Sequence, residues 1–348
     1  MTYLRPTERA GALRLHLNEN TGGCSPDVLE AIRNISAEDV ACYPDYSALS
    51  RDCAEYLGVR EEQLVLTNGL DEGLLGLAVS AFAGASSARA TAEAVIPAPA
   101  FEMYAVFVRA AGGRVVSIDP KPGFVFQTRE TCDAISDRTR IVFLTNPNNP
   151  SGQLVPRSAI VQIAQRLGPG GTVVVDEAYY DFCGETFLPD LDRHPNVVLG
   201  RTFAKAHGLA GLRAGCLIGD PQRLDAVRQV VPPFSMSVFA SVGWRAALKD
   251  RKHLDWYRAQ VAASRELVYA ACERLALPCW TSAGNFVLID VSRAGNPASI
   301  AEAFADRGIL VRDRSRDPGC RGCIRITAGV VEHTKRAIDV LEELCAVP

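Results

Sequence analysis

The chain has 348 residues, enough for about two domains of roughly 150 residues each. Hydrophobic residues make up 48% and charged residues 22% of it, which is typical of a globular protein with a large core. The net charge is -3 and no basic run stands out, which argues against nucleic acid or an anionic membrane as the main partner. No apolar stretch reaches the ~18 residues of a membrane span, and the first residues lack a signal-peptide core, so we expect a cytoplasmic protein.

Eleven cysteines are scattered along the chain. Disulfide frameworks are typical of short secreted chains with an even number of cysteines, so we expect reduced thiols here, many of them buried in apolar segments. Cys320 and Cys323 form a C-x-x-C pair, but no second pair or nearby histidine has the spacing of zinc ligands. We therefore expect no metal site.

Between residues 64 and 219, short β-branched runs alternate with longer amphipathic runs, a pattern typical of a parallel α/β sheet. The run of three valines from Val173 to Val175 is apolar on both faces and predicts a central strand covered on both sides. Strands are predicted at residues 63–67, 93–97, 114–118, 141–145, 172–176, 197–201 and 214–218. Helices are predicted in several gaps, including residues 70–83, 101–111 and 157–167.

From residue 236 to about residue 275 the pattern becomes helical and charged. Apolar strands are predicted near residues 286–291 and 323–327, followed by a last helix near 332–344. The predicted organisation is an N-terminal arm (1–35) that packs with a small domain, a large domain (36–235), and a small α+β domain (236–348).

An acidic pair follows the predicted central strand, where Asp176 and Glu177 are succeeded by Tyr179. In open α/β sheets, ligands bind beyond the carboxyl ends of the strands. An aspartate at such a place can keep a pyridine nitrogen protonated, which makes the ring an electron sink. The same residues could equally cap a helix.

Lys205 follows the next predicted strand and precedes a glycine-rich stretch that ends in Arg213. Schiff-base chemistry needs an amine that can lose its proton, and burial near another cation lowers the pKa of a lysine. Arg213 could reach a phosphate. Taken alone, the segment is also compatible with a surface lysine in a loop.

Two further turns follow predicted strands. In residues 145–152, two prolines restrict the backbone so that asparagine side chains can point at a ligand. In residues 67–73, a glycine precedes a helix whose free N–H groups suit a phosphate, although Asp71 could simply cap that helix.

Together these segments resemble the fold-type I aminotransferases that use pyridoxal 5'-phosphate (PLP), most closely the histidinol-phosphate aminotransferases. The resemblance also rests on the motifs beginning at Leu17 (Leu-Asn-Glu-Asn), Pro99 (Pro-Ala-Phe-Glu-Met-Tyr), Gly308 (Gly-Ile-Leu-Val-Arg-Asp) and Cys323 (Cys-Ile-Arg-Ile-Thr-Ala-Gly). It implies an α/β protein of the aspartate aminotransferase-like fold, with a large domain around a mostly parallel sheet and a smaller α+β domain.

The resemblance also implies the roles of individual residues. Lys205 would bond covalently to PLP and then move a proton between substrate and cofactor, and Asp176 would pair with the ring nitrogen. The other implied cofactor contacts are Gly69, Leu70 and Arg213 at the phosphate, Phe101 on the ring face, Asn148 and Tyr179 at the phenolic oxygen, and Tyr43 from the partner subunit of a homodimer. The implied substrate contacts are Tyr3, Asn20, Arg312 and Arg325.

The reaction expected from the resemblance is transfer of an amino group from histidinol phosphate to 2-oxoglutarate, a step of histidine biosynthesis. Two alternatives remain: an aminotransferase for an aromatic or specialised-metabolite amino acid, and a decarboxylase of a phosphorylated amino acid such as threonine phosphate. A non-enzymatic PLP-binding homologue is disfavoured because both Lys205 and Asp176 are present. This sequence departs from the family pattern at four positions. Ala204 stands where a serine is usual, and the other departures are at Thr21, Phe101 and His207.

Overall fold

A computed structural model describes residues 9–83 and 91–345 of the chain. Twelve strands lie in these ranges: β1 (Leu13–Arg14), β2 (Leu64–Asn68), β3 (Glu93–Pro97), β4 (Arg114–Ile118), β5 (Thr139–Thr145), β6 (Thr172–Asp176), β7 (Val197–Thr202), β8 (Ala214–Gly219), β9 (Phe286–Asp290), β10 (Ile309–Leu310), β11 (Arg312–Asp313) and β12 (Cys323–Thr327). The same ranges contain twelve α-helices: α1 (Pro26–Arg33), α2 (Ala37–Ala41), α3 (Ser47–Leu57), α4 (Leu70–Phe82), α5 (Glu102–Ala110), α6 (Thr128–Asp133), α7 (Arg157–Leu167), α8 (Pro221–Arg228), α9 (Val238–Lys249), α10 (Arg251–Arg274), α11 (Pro297–Asp306) and α12 (Val331–Cys345).

Seven strands form one sheet in the order β2-β8-β7-β6-β5-β3-β4. All neighbours are parallel except at β8, which runs antiparallel to both β2 and β7. Only eleven residues without an α-helix separate β7 from β8, and a parallel return needs a longer crossover. The mostly parallel α/β fold predicted from the sequence is confirmed.

Strand β6 lies at the centre of this sheet and is buried along its whole length. Val173 and Val175 pack into the core on one face, and Val174 packs into the core on the other. Helices α4, α5 and α8 contribute to the second core, while α3 and α7 contribute to the first. Both faces are therefore covered, as the three valines predicted.

A second, smaller sheet has the order β11-β12-β9 and is antiparallel. It packs with α10, α11 and α12 into a separate core. The N-terminal segment joins this unit, because β1 pairs with β10 and Leu15 is buried in the same core. Two backbone hydrogen bonds hold Leu15 between Leu310 and Thr327 at 2.8 and 2.9 Å.

Two helices pack differently from the predicted division. Val28 of α1 and Trp244 of α9 belong to the core of the large sheet. The predicted division instead places residues 1–35 in an arm on the small domain and residues 236–348 in the small domain itself. Apolar side chains of α9 face α1 and α3, so this helix completes the large core before α10 leads to the small unit. The exact domain boundaries stay a prediction.

Candidate active site

A cavity of about 520 Å³ opens at one edge of the large sheet, between that sheet and the small one. Strands β2, β5, β6 and β7 all end at this edge, and β8 begins there, because β8 alone runs in the opposite direction. Polar residues that follow these strand ends therefore converge, as expected for a ligand site in an α/β sheet.

Asp176, the last residue of β6, lies buried at the base of the cavity. Its carboxylate accepts hydrogen bonds from the Tyr104 hydroxyl and, at 3.0 Å, from the backbone N–H of Ala178. Burial raises the pKa of Asp176 to about 6, against the opposing effect of these hydrogen bonds. The neighbouring Glu177 instead pairs with Arg201, so only Asp176 is available to the cavity.

Lys205 lies three residues beyond β7 and lines the same cavity. Its Nζ donates to the backbone oxygen of Leu17 at 2.9 Å. Burial, followed by the positive charge of Arg325, lowers the pKa of Lys205 to about 8. A sizeable fraction of this amine is therefore neutral near pH 8, which is the form that reacts as a nucleophile or base.

The start of α4 forms a cradle for an anion. Gly69 precedes the helix with φ 76° and offers no side-chain cap to it. A Cβ built at Gly69 would lie 2.5 Å from Nη2 of Arg213, so glycine is what lets the arginine approach the backbone. Arg213 itself has a left-handed φ of 59° and bonds to Asp71 at 3.0 Å. The helix N-terminus and the guanidinium thus face one small volume.

The wall beside Asp176 is formed by aromatic and amide side chains. Tyr179 lines the cavity, and its hydroxyl accepts a hydrogen bond from Asn18 Nδ2 at 3.0 Å. Phe101 also lines the cavity and lies edge-on to Tyr104. Burial raises the pKa of Tyr179, so its hydroxyl stays protonated and can donate to a ligand.

The structure places Asn148, a predicted cofactor contact, outside the lining of the cavity, and its role stays a prediction. The amide of Asn148 donates to the Pro99 oxygen at 2.9 Å and accepts from Ser151 at 2.7 Å, which uses it to close the turn. Asn149 lines the cavity and accepts a hydrogen bond from Arg325.

Asn20 is likewise occupied elsewhere, because it donates to Ala206 at 2.9 Å and accepts from Gly22 at 2.9 Å. Asn18 from the same motif lines the cavity, and the substrate contact of Asn20 stays a prediction. Tyr3 lies outside the described residues. Tyr43 lies away from the cavity, 79% exposed and stacked on Phe234.

Three arginines of the small unit form the opposite end of the cavity. Arg312 and Arg325 are directly paired across β11 and β12, so both side chains leave the same face of the sheet. Arg314 lies two residues further on and donates to Glu102 at 3.0 Å, while Arg312 lies 3.6 Å from the same carboxylate. Glu102 belongs to α5 of the large unit, so this carboxylate links the two units across the cavity.

Strand β1 and the segment after it supply the remaining wall of this end. Arg14 pairs with Glu19 at 2.8 and 2.9 Å, and His16 lies between them in the sequence. The backbone oxygen of His16 accepts from Arg325 at 2.7 Å. Burial and the charges of Arg14, Arg312 and Arg325 lower the pKa of His16 to about 4, so its imidazole is neutral at physiological pH.

These residues fit PLP. The glycine and arginine cradle at α4 suits the phosphate, the buried carboxylate of Asp176 suits a protonated ring nitrogen, and Lys205 between them suits a covalent link to the aldehyde. The pKa of Asp176 is raised because its hydrogen bonds within the protein do not fully compensate the cost of burying the carboxylate. A protonated ring nitrogen would add the opposite charge.

Several cavity residues were not among the predicted site residues: Asn18, Asn149, Glu102, Arg314, Arg14 and His16. Three of them, Asn18, Asn149 and Glu102, belong to motifs on which the family resemblance rests. Each motif predicted which segment reaches the cavity, but not which of its side chains lines it. No signal in the sequence marks Arg14 or His16 as neighbours of Arg325.

Among the described residues, no group of three or more His, Cys, Asp or Glu side chains is arranged to hold a metal ion. The eleven cysteines are all free thiols. No helix within residues 9–83 and 91–345 has the length and apolar character needed to cross a membrane.

Comparison with known proteins agrees with this geometry. The family model described as aminotransferase class I and II matches residues 10–341. A histidinol-phosphate aminotransferase from Haloarcula marismortui is 37% identical over 95% of this chain and 89% of its own length. One from Moorella thermoacetica is 31% identical over 96% of this chain and 86% of its own.

Solved structures give the same result. The histidinol-phosphate aminotransferase of Sinorhizobium meliloti, in complex with pyridoxal-5'-phosphate, matches with a TM-score of 0.85 and 29% identity over 97% of this chain and 91% of its own. The aspartate aminotransferase of Thermus thermophilus with maleate shares the fold, with a TM-score of 0.81 and 24% identity over 96% of this chain and 92% of its own. The chain belongs to the class I and II aminotransferases.

Proposed function

We propose that this enzyme transfers the amino group of histidinol phosphate to 2-oxoglutarate and thereby serves histidine biosynthesis. The observation that carries the proposal is the cross-strand pair of Arg312 and Arg325 on the cavity wall, facing the residues that would hold PLP. One donor ends in a phosphate and the other carries two carboxylates, and a planar guanidinium pairs with either anion. The curated relatives bear the name of this activity.

Bound PLP supplies an electron sink that stabilises negative charge at the donor Cα, and it carries the amino group between the two substrates. Gly69, Leu70 and Arg213 would hold the phosphate, and Asp176 would keep the ring nitrogen protonated. Tyr104 orients Asp176 through a buried hydrogen bond and is itself fixed by Thr145 at 2.9 Å.

Lys205 would act as the base and acid for the proton at the donor Cα. Its pKa of about 8 lets it take up a proton and return it near neutral pH without a large cost in either direction. Because Lys205 follows a buried strand and bonds to Leu17, its amine is held inside the cavity.

Arg325 would bind the carboxylate next to the reacting carbon of glutamate or 2-oxoglutarate, and Arg312 would bind the phosphate of histidinol phosphate. Both lie on the small unit, so a movement of that unit toward the large one would enclose the substrate and exclude water. Glu102, which already links Arg312 and Arg314 to the large unit, would guide this closure.

We further propose that the enzyme acts as a cytoplasmic homodimer in which Tyr43 reaches the cofactor phosphate of the partner. The stacked pair of Tyr43 and Phe234, 79% and 52% exposed, supports an interface at this surface. The eleven free thiols are compatible with a reducing compartment. Light scattering at assay concentration should give twice the chain mass, and a fully active monomer would contradict the dimer.

A panel of amino donors with 2-oxoglutarate tests the reaction. We expect glutamate to form fastest with histidinol phosphate, and no carbon dioxide to be released. Faster reaction with phenylalanine than with histidinol phosphate would indicate the aromatic aminotransferase instead. Release of carbon dioxide from threonine phosphate would indicate the decarboxylase.

A further inference from the structure

His16 is an unexplained polar side chain at the substrate end of the cavity. Its residue is 2% exposed, and neither ring nitrogen has a hydrogen-bond partner among the described residues. A neutral imidazole carries one donor and one acceptor, and leaving such groups unpaired in the interior is costly. Because His16 lines the cavity, a ligand bound there can supply the missing partner.

The backbone around His16 is held from both sides. Leu15 is bonded between Leu310 and Thr327, the His16 oxygen accepts from Arg325, and Asn18 N–H donates to Thr327 Oγ1 at 3.1 Å. The backbone that carries the imidazole is therefore held at a fixed place, beside strands β10 and β12. This fixed placement is typical of a recognition residue and not of a mobile surface side chain.

The surroundings of His16 identify the class of ligand. Arg14, Arg312 and Arg325 are near enough to act on its charge, and the Nε of Arg325 is also buried without a partner among the described residues. Three guanidinium groups select an anion. Two of these guanidinium groups already pair with carboxylates of the protein. A single guanidinium can bind both oxygens of a carboxylate, but on a phosphate monoester it leaves a third oxygen for another donor.

We propose that His16 contacts the substrate and selects for a phosphate monoester, by donating its ring N–H to the phosphate oxygen that the arginines leave unpaired. The inference rests on the proposed function, since it names a residue that distinguishes the phosphorylated donor from the dicarboxylate at the same site. The competing role is structural: a neutral ring could merely separate Arg14, Arg312 and Arg325.

Two substitutions separate these roles. His16→Phe keeps a flat ring between the arginines and removes the hydrogen bond. His16→Gln loses the ring and keeps an N–H donor at similar reach. His333→Phe is the matched control, because Nδ1 of His333 also lacks a partner among the described residues but this side chain lies outside the cavity wall. Thermal unfolding of each variant checks that it folds.

The probes are ethyl phosphate and propionate, which have no amine and cannot react, titrated calorimetrically into the PLP-loaded enzyme. We expect His16→Phe to weaken ethyl phosphate about 10- to 100-fold, the range of one hydrogen bond to a charged group, with propionate changed less than about 3-fold. His16→Gln should recover most of the affinity, and His333→Phe should match the wild type.

Three results would overturn the inference: equal weakening of both probes by His16→Phe, equal weakening of ethyl phosphate by Phe and Gln, or no binding of ethyl phosphate to the wild type. These binding results do not depend on which donor reacts. If histidinol phosphate is not turned over while His16 still selects ethyl phosphate, the proposed substrate is wrong and the phosphate-selecting role of His16 stands.

Discussion

The two ends of the cavity are built in different ways. At the cofactor end, Asp176 is the last residue of a strand, and Gly69 and Lys205 follow strands of the same sheet within three residues, so their positions follow from the order of strands. At the substrate end, the wall is joined by hydrogen bonds between residues 309 positions apart, Arg325 to His16 and Asn18 to Thr327.

The ends also differ in how their charges are balanced. Asp176 and Lys205 are buried charges with shifted pKa values, whereas Arg312, Arg314 and Arg14 already pair with Glu102 or Glu19. A cofactor that stays bound can complete a fixed set of charges. The substrate end must accept two different donors in turn. Its arginines can pair with carboxylates of the protein when the site is empty and with the anionic groups of either donor when one is bound.

The largest effect is expected at the cofactor end. Lys205→Ala should abolish the visible absorbance of the enzyme-bound cofactor and lower turnover by about 10⁴-fold, because both the covalent link and the proton carrier are lost. Absorbance and steady-state rates measure it. Lys335→Ala, on the exposed face of α12, is the control. Transamination near the wild-type rate would mean that another lysine is catalytic.

At the substrate end, Arg312→Ala should remove part of the phosphate's partner set. Truncating one member of a buried charge pair costs about 2–5 kcal/mol, or roughly 30- to 5,000-fold in kcat/KM for histidinol phosphate. Histidinol and phenylalanine should lose much less. Arg316→Ala, an exposed position in the loop after β11, should behave as wild type. Equal losses for all donors would remove Arg312 from phosphate recognition.

The buried charge of Asp176 should lower the free energy of unfolding of the enzyme from which PLP has been removed. Its pKa is raised by burial from 3.8 to about 6, so the folded state disfavours the carboxylate and is penalised above pH 6 but not below 3.8. At ~1.4 kcal/mol per pH unit the penalty reaches about 3 kcal/mol. Asp176→Asn should therefore be the more stable at pH 8, with the advantage shrinking toward pH 4. Urea unfolding at both pH values measures this, and a pH-independent difference would contradict the buried charge.

The smallest effect is expected at Ala204, which lines the cavity where a serine is usual in the family. Ala204→Ser should tighten PLP by roughly 0.5–1.5 kcal/mol, the value of one added hydrogen bond. Equilibrium dialysis of the cofactor measures it. Unchanged affinity would indicate that Thr202, which also lines the cavity, already supplies the hydroxyl.

Prediction from the sequence succeeded where local pattern and structure coincide. The seven strands of the large sheet lie within two residues of their predicted bounds, because β-branched runs such as Val173 to Val175 can be buried on both faces only as strands between helices. The pair Asn148 and Asn149 shows the opposite case, because the sequence favours Asn148 as a site residue whereas Asn149 is the one that lines the cavity. Neighbouring side chains in a tight turn point in different directions, and no periodicity determines which one closes the turn.

By itself the sequence determined the family, the mostly parallel sheet and the place of Asp176 and Lys205 at strand ends, where we propose that they serve PLP chemistry. These follow from short-range patterns, since each strand and the residue after it are neighbours in the chain. Only the tertiary structure decided that Tyr104 bonds Asp176, that Glu102 faces Arg312, and that His16 lies near three arginines without a hydrogen-bond partner in the described part of the chain. The physical reason is that hydrogen bonds and charge pairs are set by distances of a few ångströms, which packing imposes between residues far apart in the sequence.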